Sequence, residues 1–197
     1  MTIQESPESA MLTWKGLSSL PIPKEVQLSS DSFDIEMRRE GISALPSPFN
    51  RADCWVSCRE AWPHVDPDFE GLMFITIVIQ GDHRYSQLMP NHTHTVRGVF
   101  PGSIFTTDPM ALHWLAPNSD SGVGFVGLQF EVPYIDIDIF YADLLEELSA
   151  VGDVRSNKAA YCDSLLVASG DYVGVPPGPL ARRMVGSSNA GARGIPK

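Results

Sequence analysis

His113 is the side chain best placed for chemistry. It follows a Pro101-Gly102 corner, a short β-rich run and an Asp108-Pro109 turn, and it stands beside Trp114. An imidazole ligates metals and carries protons near neutral pH; the alternative is a partly buried, hydrogen-bonded, inert histidine. His92-x-His94 has the composition of a metal pair, but it falls directly after Pro90-Asn91, where the tip of a hairpin and an exposed turn are expected. Asp68 and Glu70 are expected to solvate a loop. Nucleophilic catalysis has no support, because the chain has no Gly-x-Ser-x-Gly elbow, no phosphate-binding glycine loop and no Cys-His pair at a suggestive spacing.

The stretch from Leu72 to Leu115 has to position these groups. Its first part, Leu72 to Ile79, puts Ile75, Ile77 and Ile79 on one face and Thr76 and Val78 on the other; β-branched density and the Gly81 turn favour a strand. His83 to Met89 and Thr93 to Val99 are expected to pair across Pro90-Asn91. Further strands are expected within Ser32–Ile42, Asp53–Glu60, Ile104–Thr107 and Gly122–Val132. Short strands separated by Gly, Pro and Asn turns are the signature of a jelly roll or small barrel. After Pro133, the residues Tyr141, Leu144, Leu145, Leu148 and Val151 share one helical face, with Asp138 as a cap and Gly152 as a stop. A second, shorter helix is expected over Ala159–Val167.

The chain of 197 residues fits one domain. We divide it into an N-terminal arm, 1–30, a β barrel with its packed helix, 31–152, and a C-terminal extension, 153–197, disordered from Gly186 onward. The net charge of −10 lies entirely within 41–151, which repels phosphate backbones and disfavours nucleic acid as a partner of the core. No apolar run approaches the ~20 residues needed to cross a bilayer, and the N-terminus lacks a basic region followed by an apolar one, so a cytoplasmic protein is expected. Cys54, Cys58 and Cys162 lack zinc-type spacing and are expected to be reduced, packed thiols.

Val99 to Leu115 resembles the second half-motif of cupins and the wider double-stranded β-helix proteins, on Pro101-Gly102, the apolar strand, Asp108-Pro109 and His113. The resemblance covers Ser57 to Val132. It implies a mainly β, double-stranded β-helix (jelly-roll or cupin-like) barrel with a C-terminal amphipathic helix, a metal-binding role for His113 and, as is frequent in such barrels, a homodimer. The His-x-His and Glu of the first cupin motif are missing, and Asp68, Phe69 and Glu70 occupy that region. The chain is also similar to iron- and 2-oxoglutarate-dependent dioxygenases, on His64-Val65-Asp66, the distal His113, Pro117 and the Gly122-Val-Gly-Phe125 strand. That resemblance implies Fe(II) held by His64, Asp66 and His113, with positions left open for dioxygen and a bidentate cosubstrate. His64 and Asp66, two apart on a strand, project to one side.

The departure from that pattern is an Arg expected shortly after the distal His, where Val123 and Gly124 stand. Arg84 and Arg97 are the only Lys or Arg residues between Arg59 and Arg155, so one of them is the expected anchor of a 2-oxoglutarate carboxylate. The alternative places both on the solvent side of their hairpin. The expected function is therefore a metal-dependent oxygenase acting on a small molecule. The competing readings are a degenerate, metal-free cupin-like binding module and a protein-interaction module.

Overall fold

The apolar run beginning at Leu72 forms a nine-residue strand buried along almost its whole length, as its two apolar faces require. In the computed structural model, which describes residues 9–88, 93–119, 122–156 and 162–166, the chain is mainly β. Its strands are β1 (Ala10–Thr13), β2 (Glu36–Arg38), β3 (Cys54–Cys58), β4 (Ala61–His64), β5 (Leu72–Gln80), β6 (His83–Leu88), β7 (Thr93–Val99), β8 (Ser103–Thr107), β9 (Leu112–Pro117), β10 (Phe125–Pro133), β11 (Asp153–Ser156) and β12 (Cys162–Leu166). Two α-helices, α1 (Lys24–Ser29) and α2 (Ile137–Ser149), accompany them. No helix among the described residues is long and apolar enough to cross a membrane.

The strands form two antiparallel sheets. The larger has the order β11-β1-β8-β5-β10-β3-β2 and the smaller β12-β7-β6-β9-β4. Alternation along β5 assigns one set of side chains to each layer. Ile75, Ile77 and Ile79 join Trp55, Leu128, Phe130 and the buried face of α2 in the main core. Val78 faces the smaller sheet and packs with Tyr85, Phe105, Leu115 and Phe125. The helix docks through Ile137, Tyr141, Leu144 and Leu148, the face expected from its spacing. Asp138 lies in its first turn rather than at the cap, and the helix ends at Ser149, ahead of Gly152.

Three expectations change. The arm drawn at 1–30 contributes β1, whose Leu12 N–H donates to the Gly102 carbonyl at 2.8 Å. Gly102 has φ 92°, and a Cβ there would collide with the Leu12 carbonyl oxygen, so the Pro101-Gly102 corner also serves as the seat for β1. The helix expected over Ala159–Val167 is replaced at Cys162–Leu166 by β12, paired to the free edge of β7. Periodicity cannot separate helix from strand in so short an apolar run, and an open sheet edge supplies backbone partners. Ala159, Ala160, Tyr161, Val167 and the tail from Gly186 lie outside the described residues.

The third change concerns His94. It is fully buried on the outer face of the smaller sheet, stacked on Trp114 at 4.9 Å and 25°, rather than in an exposed turn; His92 lies outside the described residues. Both ring nitrogens of His94 are buried without a hydrogen-bond partner, and burial holds its pKa below the usual 6.5. The unfolded chain therefore takes up a proton on this histidine at a higher pH than the native state does. Stability is lost as the pH falls from about 6.5 toward the depressed native value. His94→Phe keeps the stack and removes the orphaned nitrogens. Urea unfolding at several pH values should show the variant gaining progressively on the wild type as the pH falls below about 6.5; a difference independent of pH would contradict this.

Candidate metal centre

β4 and β9 pair with Ala61 opposite Leu115 and His64 opposite His113, so three steps along β4 match two along β9. The extra residue lies in the Trp62-Pro63 segment, where Pro63 has no N–H for the ladder. The consequence is a change of parity. Ala61 faces the space between the sheets, and without the bulge His64 would face away from it; with the bulge it turns to the same side as His113.

The Asp108-Pro109 turn positions the other two members. Its Met110 N–H donates to Asp108 Oδ1 at 2.9 Å and its Ala111 N–H to the Asp108 carbonyl at 3.1 Å. The Pro109 carbonyl accepts the Asp66 N–H at 2.8 Å, and the Ala111 carbonyl lies 2.8 Å from His113 Nδ1. One turn thus holds both Asp66 and His113. On the other side, the Trp62 carbonyl lies 2.5 Å from His64 Nδ1.

A backbone carbonyl only accepts, so each Nδ1 carries the proton and each Nε2 is left with a lone pair. These lone pairs converge on one carboxylate: His113 Nε2 is 3.4 Å from Asp66 Oδ2 and His64 Nε2 is 3.7 Å from Asp66 Oδ1. The two rings lie 4.4 Å apart, and His64 Nε2 is buried without a hydrogen-bond partner. All three ligand atoms fall within 4.8 Å of one another. Bonds of ~2.0–2.2 Å to a shared ion put donor atoms about 3–4 Å apart, so the cluster fits a metal after small adjustments. Three acceptors facing one another repel unless a cation sits between them, and the Nδ1 hydrogen bonds supply the orientation that metal-binding imidazoles receive.

The protonation states suit this. Burial is the largest influence on His64 and lowers its pKa, favouring the neutral ligand form. For Asp66 burial acts to raise the pKa, but a proton donor and positive charge at His113, together with His64, outweigh it and the carboxyl stays below its ordinary value; the carboxylate is thus stabilised by positive charge at the point where a metal ion would sit. Neutral imidazoles and an ionised carboxylate are the forms that bind a metal.

Beside the triad is a cavity of about 200 Å³ walled by Phe74, Phe105, Phe125 and Tyr85, with Thr76, Thr107 and Gln129 as neutral polar groups. These residues alternate inward from their strands, so parity along β5, β8 and β10 was the signal in the sequence that could have identified them. Cys58 also lines the cavity, but burial, with Glu60 nearby, pushes its thiol up to about 12. Cys54 and Cys58 are both free and buried.

Arg84 and Arg97 do not line this cavity. Arg97 is buried inside the fold rather than on a solvent face, opposite Tyr85, its guanidinium 5.5 Å from the Tyr85 ring centre and 5.8 Å from that of Phe105. It lines a second cavity, of about 380 Å³, with Ser9, Met11, Phe100 and Ser103. Arg84 is half-buried and paired with Gly98 and Ala116, on the face opposite to Tyr85. Asp68 and Glu70 take no part in the cluster. No family model, curated protein or solved structure matches this chain.

Proposed function

We propose that this protein is a non-haem metal-dependent oxygenase, binding Fe(II) through His64, Asp66 and His113 on a double-stranded β-helix. The observation that carries the reading is the convergence of two oriented Nε2 lone pairs and one carboxylate with no donor between them. Strand order supports the architecture: β3, β10, β5 and β8 are neighbours in one sheet and β4, β9, β6 and β7 in the other, so the chain crosses repeatedly between layers. When bound, Fe(II) in a two-histidine, one-carboxylate site supplies open positions for dioxygen and for an oxygen-chelating organic molecule.

The chain's own residues do the rest. Trp62 and Ala111 hold the ligand tautomers through their carbonyls, and Phe74, Phe105 and Phe125 exclude water from the reacting face. The candidate 2-oxoglutarate anchors, Arg84 and Arg97, stand outside the cavity wall. Anaerobic titration of metal-free protein with Fe(II), and with Co(II) read by its visible absorption, tests the proposal. One ion per chain is expected; absence of binding by both ions would leave a metal-free binding module as the better reading.

A further inference from the structure

Building on that metal reading, we infer that the cavity takes a small aromatic molecule that chelates the metal through two adjacent oxygens of its own, in the manner of a catechol, and not a dicarboxylate cosubstrate. The charge balance comes first. A divalent ion and one ionised Asp66 leave a single positive charge, which a monoanionic oxygen chelator neutralises. A dicarboxylate would bring a second negative charge and place its far carboxylate against the opposite wall.

That wall offers no cation among the described residues. Phe74, Phe105 and Phe125 project from the larger sheet across from the triad, and the polar groups between them, Thr76 and Gln129, are neutral and lie side by side in register. Thr76 is 3% and Gln129 6% exposed, and neither side chain is engaged with another protein group among the described residues, so both are open to a neutral hydroxyl or carbonyl on the ligand. Arg97, the nearest buried cation, is screened from the cavity by the Tyr85 and Phe105 rings on which it stacks. Burying a carboxylate without a charged partner is strongly unfavourable.

The mouth has the same character. Ile35 and Met37 line the cavity yet remain 39% and 41% exposed. Trp62 and Val65, on either side of His64, and Met110, in the turn that holds Asp66 and His113, are also exposed. Isolated exposed apolar residues are ordinary, but Ile35 and Met37 both line the cavity and face solvent, an apolar edge suited to an apolar body entering metal-end first.

The test uses the full chain loaded with Co(II), which binds without redox chemistry, and follows the visible spectrum. The probes are 4-nitrocatechol, 4-methylcatechol, 3,4-dihydroxybenzoate and 2-oxoglutarate. We expect 4-nitrocatechol to shift in absorption only when metal is present, and to be displaced by 4-methylcatechol. The ring-carboxylated 3,4-dihydroxybenzoate and 2-oxoglutarate should compete at least about tenfold more weakly. If either carboxylate probe binds as tightly as 4-methylcatechol, or if no catechol binds to cobalt-loaded protein, the inference is overturned while the metal site stands. Failure of Co(II) and Fe(II) to bind removes both.

Discussion

Replacing His113 with Ala should weaken Fe(II) or Co(II) binding by more than about 100-fold, beyond the loss that follows removal of a supporting partner of a ligand. His113 contributes one of three donor atoms and is the most buried of the three, so no surface group moves easily into its place. The folded state should survive. The side chain's hydrogen bond, from Nδ1–H to the Ala111 carbonyl, is worth about 1 kcal/mol, a small share of the stability of a domain of this size. Asp66→Asn is the conservative companion: the backbone N–H to Pro109 remains, the shape is kept, and the negative charge is lost. Both variants should show wild-type circular dichroism with little bound metal by elemental analysis. Wild-type stoichiometry and affinity in both would remove the triad as a metal site.

Phe130→Ala should cost about 3–5 kcal/mol, a large share of the ~5–15 kcal/mol that holds a domain of this size together. Phe130 is fully buried on the outer face of β10 and meets Phe140 of α2 with ring centres 5.8 Å apart. Its removal opens a void exactly where the larger sheet and the helix share one core with Leu144 and Leu148. The denaturant midpoint should fall steeply. Metal affinity of the protein that remains folded should not change, because Phe130 points away from the cavity, toward which Gln129 turns. A loss below about 1 kcal/mol would mean that the helix and sheet repack around the gap. The two substitutions thus separate the roles of the two layers: one removes the ligand set and leaves the fold, the other weakens the fold and leaves the ligand set.

Much of this was legible in the sequence because it depends on local physics. The β-branched alternation of Leu72–Gln80, the i, i+3, i+4 face of α2 and the Asp108-Pro109 turn before His113 each encode their own conformation within a few residues. The resemblance of His64-Val65-Asp66 and His113 to the His-x-Asp and distal His of iron- and 2-oxoglutarate-dependent dioxygenases names these three residues, and the structure brings all three together. Other features depend on which partner lies across a sheet. β12 forms because β7 has an open edge, and β1 belongs to the larger sheet because Gly102 lets its backbone approach. Arg97 is buried against the Tyr85 and Phe105 rings and His94 against Trp114, contacts that a count of polar residues in a hairpin cannot reveal.

The ligand set divides along the same line. By itself the sequence determined the Asp108-Pro109 turn that supports Asp66 and His113, and its resemblance pointed to the three side chains that could hold a metal ion. Only the tertiary structure decided that they meet, since His64 faces His113 through an extra residue at Trp62-Pro63 that reverses the parity of β4. A strand read alone has no absolute face; the register with β9 assigns one, and a shift of one residue there sends the imidazole to the opposite side of the sheet.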